Sequence, residues 1–545
     1  MIDYENIDLE DEQVWDLLNT GKVKGCFQLD KTARSWLKKI KPRNILELAA
    51  LISLIRPGCM NAKMDGRSMT QHYLDRKNGE HAQPIHPALE PILRETYQVI
   101  VYQEQTIKIA QEVAGFSESK ADILRKAMGK KDAKLMASLK DGFIKGCLDT
   151  GKVTVESDAS EIFDVIEKSN RYSFNKSHAV AYAFMGYWSA YAKTHKTRNF
   201  FCSWLKHGKD KLDSEMEIIQ LVNDAAYYKQ AILPPRLIGL EREFHLDLSN
   251  PLAMGIRFGL CDIKKVGEKQ IEKIASKLGD YDLESAEWYD FLIRFGKPTC
   301  INKAALIALI SGGALDYMKG TTRQEKLLEH NVWNKLTAKE QEWIMTRSGI
   351  RPEAPVSQTK RATTSYAAEL EVYAEFQTTG KVFKTLPVAM DHITTHRANS
   401  RRQDKINDLL NTLKNPPFSI DDNLEWIMRQ EKALFGLPIS VTNLDKGGTY
   451  VGSATCSEFD KMNDGPVSIV VEISEEREYN IKSGPNKGST MSFLTVRDQT
   501  SSLDSVLLFS KAYEEYGHLI YVGNTVLLDG YKDEDTFKVN KVLQS

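Results

Sequence analysis

SFNKSHAVAYAFMGYW, residues 173–188, joins a polar, basic knot (Asn175, Lys176, Ser177 and His178) to a run of alanines and aromatics. The change of texture marks a helix start, and a long helical pattern follows from about His178 to Lys206. Asn175 to His178 then stand at a helix N-terminus, where backbone N–H groups and the helix dipole favour phosphate. Tyr182, Phe184, Tyr187, Trp188 and Tyr191 read as a buried spine holding the knot rigid, because an aromatic stripe at helical spacing is more often core than a base-stacking platform. From Lys168 through Lys209 there is no Asp or Glu, yet Lys168, Arg171, Lys176, Lys193, Lys196, Arg198, Lys206 and Lys209 fall in that window. A solvated helix face mixes signs for i,i+4 pairing, whereas a surface facing phosphate excludes acids that would repel it. The window therefore favours polyanion binding.

Working outward, the first ~210 residues read mainly as helices. TIKIAQEVAGF (106–116) puts Ile107, Ala110 and Val113 on one face, with Gly115 as a stop. Ser119 and Asp122 form a capping-box-like start for the next helix, Gly129 is expected to end it, and Asp132 can cap the one after. In RKAMGKKDAK (125–134), Arg125 and Lys126 fall at a helix end, and Lys130 and Lys131 follow the glycine break, where a turn exposes both. This is a second concentrated basic stretch.

ILPPRLIGLEREF (232–244) is Pro-punctuated and suits a short strand before a new domain. Two similar units follow, RFGLCDIKKVGEKQIEKIASKL (257–278) and TCINKAALIALISGGALDYM (299–318), which are helix-hairpin-helix candidates. In the first, Gly267 is expected to make the tight hairpin, with Lys264, Lys265 and Lys269 beside a helix start that offers N–H groups to a DNA phosphate. Between Met318 and about Leu424 the pattern weakens, and GIRPEAPVSQTKRATTS (349–365) reads as a linker or insertion. From about Val467 the period shifts toward two. VSIVVEISEERE, MSFLTVRD, SLDSVLLF, NTVLLDGY and TFKVNKVL are five short strands, the pattern of a small OB-type barrel. The fold class expected is multidomain α+β, mainly helical and ending in a β-barrel of the OB-fold type.

Composition is that of a soluble globular protein, 42% apolar and 27% charged over 545 residues. With a net charge of −1, any nucleic-acid affinity must come from local patches. No secretory leader or apolar run of spanning length is visible, so a cytosolic place without membrane contact is expected. The seven cysteines are scattered with no C-x-x-C pair, which suits small buried hydrophobes and no zinc site. There is no GxxxxGK[ST], HExxH or G-x-S-x-G motif, and no D-x-D on a strand end.

GCFQLD (25–30), ALISLIRPG (50–58), YQVIVYQEQTIKIAQEVAGF (97–116), LRKAMGKK (124–131) and FNKSHAVAYA (174–183), in this order, closely resemble the bacterial C-family replicases, the DNA polymerase III alpha subunits. IRFGLCDIKKVGE, INKAALIALISGGALD and EKALFGLPIS continue the likeness. The resemblance implies a layout: 1–20 a segment following the palm, 21–210 fingers, 211–330 a tandem helix-hairpin-helix, clamp-binding-like domain, 331–440 a variable linker or insertion, and 441–545 an OB domain. It implies contact of Arg125, Lys126, Lys130, Lys131, Asn175, Lys176, Ser177 and His178 with nucleotide triphosphate or the DNA backbone, Arg125 and Lys176 foremost. Arg56, Tyr102, Gln103, Glu104 and Gln105 would orient that site, and Lys264, Lys265, Gly267 and Lys269 would meet the DNA backbone.

The family's PHP and palm regions, with three metal-binding aspartates, have no counterpart in these residues. No catalytic or metal residue is therefore expected here. Mg²⁺ would be held by a separate palm-bearing chain, with dNTPs as substrates and primer–template DNA and that chain as partners. A split or phage-encoded replicase in the bacterial cytoplasm is the form this implies. The sliding clamp is a further implied partner, although no Q-x-x-L-F-like peptide occurs between 318 and 424. Departures from the family pattern are Lys126 for an arginine, Ser173 for a glycine and Cys59 for the last proline of RPGP. The alternative reading is a non-catalytic DNA-binding replisome adaptor or a truncated replicase remnant.

Overall fold

The computed structural model describes residues 3–30, 32–61, 63–64, 66–80, 86–130, 133–170, 172–249, 254–348, 383–396, 400–441, 453–498 and 500–544. They fall into two compact units, Met1–Phe200 and Phe201–Ser545.

The first unit is helical. Ile45–Leu54 is apolar nearly all round and almost wholly buried, as such a helix must be. Asn44 caps it, accepting from the Glu47 N–H. It packs against Lys176–His195, the helix opened by the polar knot. The buried face of Lys176–His195 is built from Ala179, Ala183, Gly186, Tyr187, Ala190 and Lys193. Small residues admit a neighbouring backbone: a methyl at Gly186 would stand 3.1 Å from Leu29 Cδ1 and 3.3 Å from the Phe27 carbonyl. Phe27 N–H donates to Ser189 Oγ at 2.9 Å, and Tyr187 Oη donates to the Asp8 carbonyl at 2.8 Å. The expected aromatic spine is thus corrected. Tyr187 alone of the five is buried, while Tyr182, Phe184, Trp188 and Tyr191 are half-exposed, because alanine and glycine occupy the contact face.

The long helix expected to Lys206 is two helices, Lys176–His195 and Thr197–Gly208, broken at Lys196 (φ −131°, ψ 41°). Thr194 and Thr197 hydroxyls bond back to the carbonyls of Ala190 and Thr194, competing with the next helical turn. A second core gathers Gln103–Glu112, Glu118–Lys130, Ala133–Asp149 and Glu156–Asn170 around Phe116, Phe143 and Phe163, whose rings meet edge-on. Gly115 does close the first of these, at φ +66°. The next begins at Glu118, with Ser117 Oγ and not Ser119 accepting from Lys120 N–H, and it runs through Gly129 to Lys130. Glycine weakens a helix interior by about 1 kcal/mol, and that alone does not end one. Asp132 lies outside the described residues.

In the second unit, Ile232–Leu233, Gly255–Arg257 and His245–Asp247 form a three-stranded sheet in that order, the first pair parallel. Glu268–Leu278, Trp288–Phe295 and Lys303–Ser311 follow. Within the stretch assigned to a linker, Ala338–Arg347, Leu386–His396, Ser400–Lys414 and Leu424–Phe435 are helices, preceded by Arg323–Lys335 with a Thr322/Glu325 capping box. Residues 349–365 lie outside the described residues.

The chain ends in a closed five-stranded barrel, ordered Thr536–Gln544, Ser502–Leu508, Thr490–Arg497, Gly465–Asn480 and Thr525–Asp533. Period-two alternation sends Val467, Ile469, Val471 and Ile473 inward to meet Leu494, Val506, Leu528 and Phe537. A parallel pairing of Thr536–Gln544 with Ser502–Leu508 closes the sheet. The molecule is mainly helical before a closed barrel of the OB type.

Candidate nucleotide-facing site

A single backbone exchange sets the first unit's site in register. Phe174 N–H donates to the Val101 carbonyl and Gln103 N–H to the Phe174 carbonyl, both at 2.9 Å. The first turn of Gln103–Glu112 is thereby fixed beside the start of Lys176–His195. Gln105 locks that turn from within. Its Oε1 accepts from the N–H groups of Val101 and Tyr102, and its Nε2 donates to Thr96 Oγ1.

Gln103 and Glu104 then reach a cationic side chain and a helix start in turn. Gln103 Oε1 accepts from Arg125 Nη1 at 3.2 Å. Glu104 accepts from Asn175 Nδ2 and from the Lys176 backbone N–H, each at 2.9 Å. Asn175 is the N-cap, and its Oδ1 accepts from His178 N–H at 2.8 Å. A carboxylate at a helix N-terminus also meets the positive end of the dipole. The Arg125 side chain and the backbone start of the Lys176 helix are thus anchored on adjacent residues of one turn. His178 is exposed, its ring 4.0 Å from that of Tyr182, and Ser177 is exposed beside it.

The cations are not bare. Lys176 Nζ bonds both oxygens of Glu95, at 2.8 and 2.7 Å. Arg125 and Lys126 share Asp122, at 2.9 and 2.6 Å. Hydrogen bonds from Lys126 and Arg125 hold the Asp122 carboxyl below its ordinary range. The inference that an acid-free window leaves a surface free for phosphate is corrected accordingly. Acids from outside the window serve Lys176, and Lys193 is fully buried on the carbonyls of Lys22 and Lys24. In the second unit, Lys206 and Lys209 both reach Glu243. Lys130 continues a helix rather than following a glycine break, and Lys131 lies outside the described residues.

Arg56 is a brace. Its Nε donates to the Ser53 carbonyl and its Nη2 to the Tyr172 carbonyl, while the guanidinium lies 4.3 Å from the Phe174 ring centroid. Cys59 Sγ points at the same Tyr172 carbonyl, 3.5 Å away, and burial pushes its thiol up. The departure at Ser173 is structural too. Its hydroxyl donates to Asn170, whose Nδ2 donates to the Arg125 carbonyl. Tyr102 is buried, and its ring faces Lys176 Nζ at 5.6 Å.

Sequence reasoning missed Glu95, Asp122 and Asn170 as partners. Asp122 carried a signal, standing three and four residues before the two cations it binds. Glu95 carried none, 81 residues from Lys176.

In the second unit, Gly267 is the N-cap of Glu268–Leu278 at φ −97°, while Lys265 holds the positive φ of 78°. The tight turn expected at Gly267 is therefore made by Lys265. Nothing lies within 4 Å of a Cβ built on Gly267, so the helix start faces open space. Lys265 and Lys269 are exposed, and Lys264 Nζ reaches Glu215 at 3.2 Å. Among the described residues, no group of three or more His, Cys, Asp or Glu is gathered to hold a metal ion, and no helix is long and apolar enough to cross a membrane.

Residues 1–151 match the bacterial DNA polymerase III alpha subunit finger domain, and residues 229–326 match a helix-hairpin-helix motif. The chain is 38% identical over 322 residues to DNA polymerase III subunit alpha of Aquifex aeolicus, covering 58% of this chain and 26% of that protein. The same-named protein of Helicobacter pylori (strain 26695) is 33% identical over 334 residues, and that of Pseudomonas aeruginosa 34% over 326, covering 60% and 58% of this chain and 26% of each relative. The chain spans about a quarter of the length of the curated relatives it matches.

Proposed function

We propose that this chain, whose domains fit the C-terminal half of a bacterial DNA polymerase III alpha subunit, binds incoming dNTP and primer–template DNA for DNA-templated synthesis together with a separate palm-bearing chain. The observation that carries this reading is that the Gln103–Glu104 turn anchors both the Arg125 side chain and the backbone start of the helix that bears Lys176. Such a site holds a triphosphate by charge and by direction. Arg125 offers a planar fork to phosphate oxygens, Lys176 a mobile point charge, and the first turn of Lys176–His195 its dipole. Mg²⁺ would activate the primer oxygen and stabilise the leaving pyrophosphate. The described residues gather no carboxylate set that fits it, so in this reading the palm-bearing chain holds it. In this reading the helix-hairpin-helix region meets duplex backbone, the sliding clamp is a partner of residues 211–330, and the place is the bacterial cytoplasm.

The test is primer extension by the chain mixed with a palm-bearing chain, Mg²⁺ and dNTPs. Extension is expected from the mixture. Lys176→Ala should raise the KM for dNTP about tenfold or more while duplex affinity changes less than twofold, the loss of one charge-assisted contact. No complex and no extension would sink the reading, and equal losses of dNTP and duplex binding would make Lys176 a general DNA contact. The ion pairs on Arg125, Lys126 and Lys176 favour a second reading, a non-catalytic DNA-binding adaptor. That protein would bind DNA with strong salt dependence, indifferent to dNTP and to Lys176→Ala.

A further inference from the structure

Glu95 has no task in the cap that positions Lys176. Glu104 does that work, with one oxygen on Asn175 Nδ2 and the other on the Lys176 backbone N–H. Glu95 touches Lys176 only at its Nζ, with both carboxylate oxygens at 2.8 and 2.7 Å. The two side chains are 31% and 35% exposed, so solvent and solutes reach the pair. Local helix pairing cannot explain the contact, since the partners are 81 residues apart. Asp122, three and four residues from Arg125 and Lys126 on one helix, is the ordinary local case by contrast.

We propose that Glu95 is a resident anion that competes with the incoming triphosphate for Lys176 and so sets the substrate affinity of the site; this rests on the nucleotide-binding reading above. A bidentate carboxylate on an ammonium presents two anionic oxygens, as a phosphate group would. With the substrate absent, Glu95 occupies the cation. A triphosphate that takes Lys176 leaves Glu95 without its partner and close to new negative charge, which lowers affinity. The exchange is favourable only for a ligand that gains elsewhere, and Arg125 and the helix start are the groups placed to supply that gain. Exchange is feasible because an ion pair this exposed is weak. Glu95 is therefore an affinity-setting residue, distinct from the positioning residue Glu104.

Calorimetric titration of the full chain with sodium tripolyphosphate and with dATP, at fixed pH and ionic strength, tests this on four proteins: wild type, Glu95→Gln, Lys176→Ala and the double variant. Expected are tighter binding by Glu95→Gln, by about two- to fivefold, the scale of an exposed ion pair, and weaker binding by Lys176→Ala. The double variant should bind no more tightly than Lys176→Ala, which a merely structural role for Glu95 would not produce. Unchanged or weaker binding by Glu95→Gln, with Lys176→Ala still weakened, overturns the role of Glu95 and leaves the nucleotide reading standing. A gain that persists without Lys176 also overturns it. Absence of binding by both wild type and Glu95→Gln overturns the role and the nucleotide reading together. Glu95→Asp, which keeps the charge on a shorter arm, should stay within twofold of wild type and guards against a folding defect being read as an effect of charge.

Discussion

Lys193 donates to the carbonyls of Lys22 and Lys24 at 2.7 and 2.9 Å, and its side chain is fully buried. It ties an irregular segment to the helix that opens at the polar knot. Substituting Lys193→Met keeps an unbranched stem out to Cε and removes the donor, leaving two carbonyls unpaid by it; hydrogen bonds to a charged group contribute roughly 1.5–3 kcal/mol each, and part is regained by water. A loss of about 2–4 kcal/mol is expected, read as a lower urea midpoint with an unchanged slope. Loss under 1 kcal/mol would show that the segment holds itself. The acid-free window announced that eight cations share one stretch and could not say which face each occupies. The clue lay in spacing, because Ala179, Ala183, Gly186, Ala190 and Lys193 continue one helical stripe, so Lys193 belongs with the small residues inward. Asn175 as a cap was legible from its own chemistry. Glu95 was not, since only the fold brings it to Lys176.

At the scale of elements, starts and strands were easier to read than stops. The period-two runs became the barrel, and ILPP became a strand, because alternation and proline act locally. Gly129 and Gly267 were misjudged because glycine permits a turn without requiring one; the second turn is made by Lys265 at positive φ. The helix Arg323–Lys335 emerged from a weak pattern because its inward face mixes Arg323, Lys326 and His330 with Leu328, Val332 and Trp333, which breaks the apolar periodicity. Glu329 on this helix accepts from Trp288 Nε1 at 2.6 Å, and burial raises its pKa to about 7, with the Trp288 hydrogen bond opposing. A carboxyl with a raised folded pKa binds more protons folded than unfolded between its ordinary 4.5 and about 7. Its contribution is therefore fully present below that range and is lost as pH rises through 7. Glu329→Gln keeps a neutral acceptor, so at pH 8 the variant should be more stable by on the order of 1–3 kcal/mol. The difference should vanish near pH 4.5, as read from paired denaturation curves. His330, lowered to about 4 by burial first and by Lys303 next, shapes the opposite slope in both proteins and cancels in the comparison. A gap independent of pH would place the effect in packing.

For the whole molecule, local charge decides where DNA would be held in the proposed reading. The chain is nearly neutral, and residues 453–545 carry fifteen acids against nine bases, a net of −6. Backbone binding scales with local phosphate contacts and not with overall charge, so an acidic barrel adds little non-specific affinity and the exposed helix start at Gly267 becomes the testable duplex contact. Replacing Lys265 and Lys269 together by Ala should weaken binding of primer–template duplex and flatten the plot of log K against log salt by about 2, one phosphate contact per lysine. Fluorescence anisotropy across a salt series reads both. Gly267→Ala separates contact from folding. Its φ of −97° suits alanine, and no atom lies within 4 Å of the added methyl. Stability should therefore change by no more than about 1 kcal/mol, the cost of a poorer cap. A phosphate on the amides beyond that glycine would meet the methyl, and affinity should fall about tenfold, equivalent to ~1.4 kcal/mol. An unchanged salt slope in the lysine variant, with full affinity in Gly267→Ala, would move the duplex contact away from this hairpin.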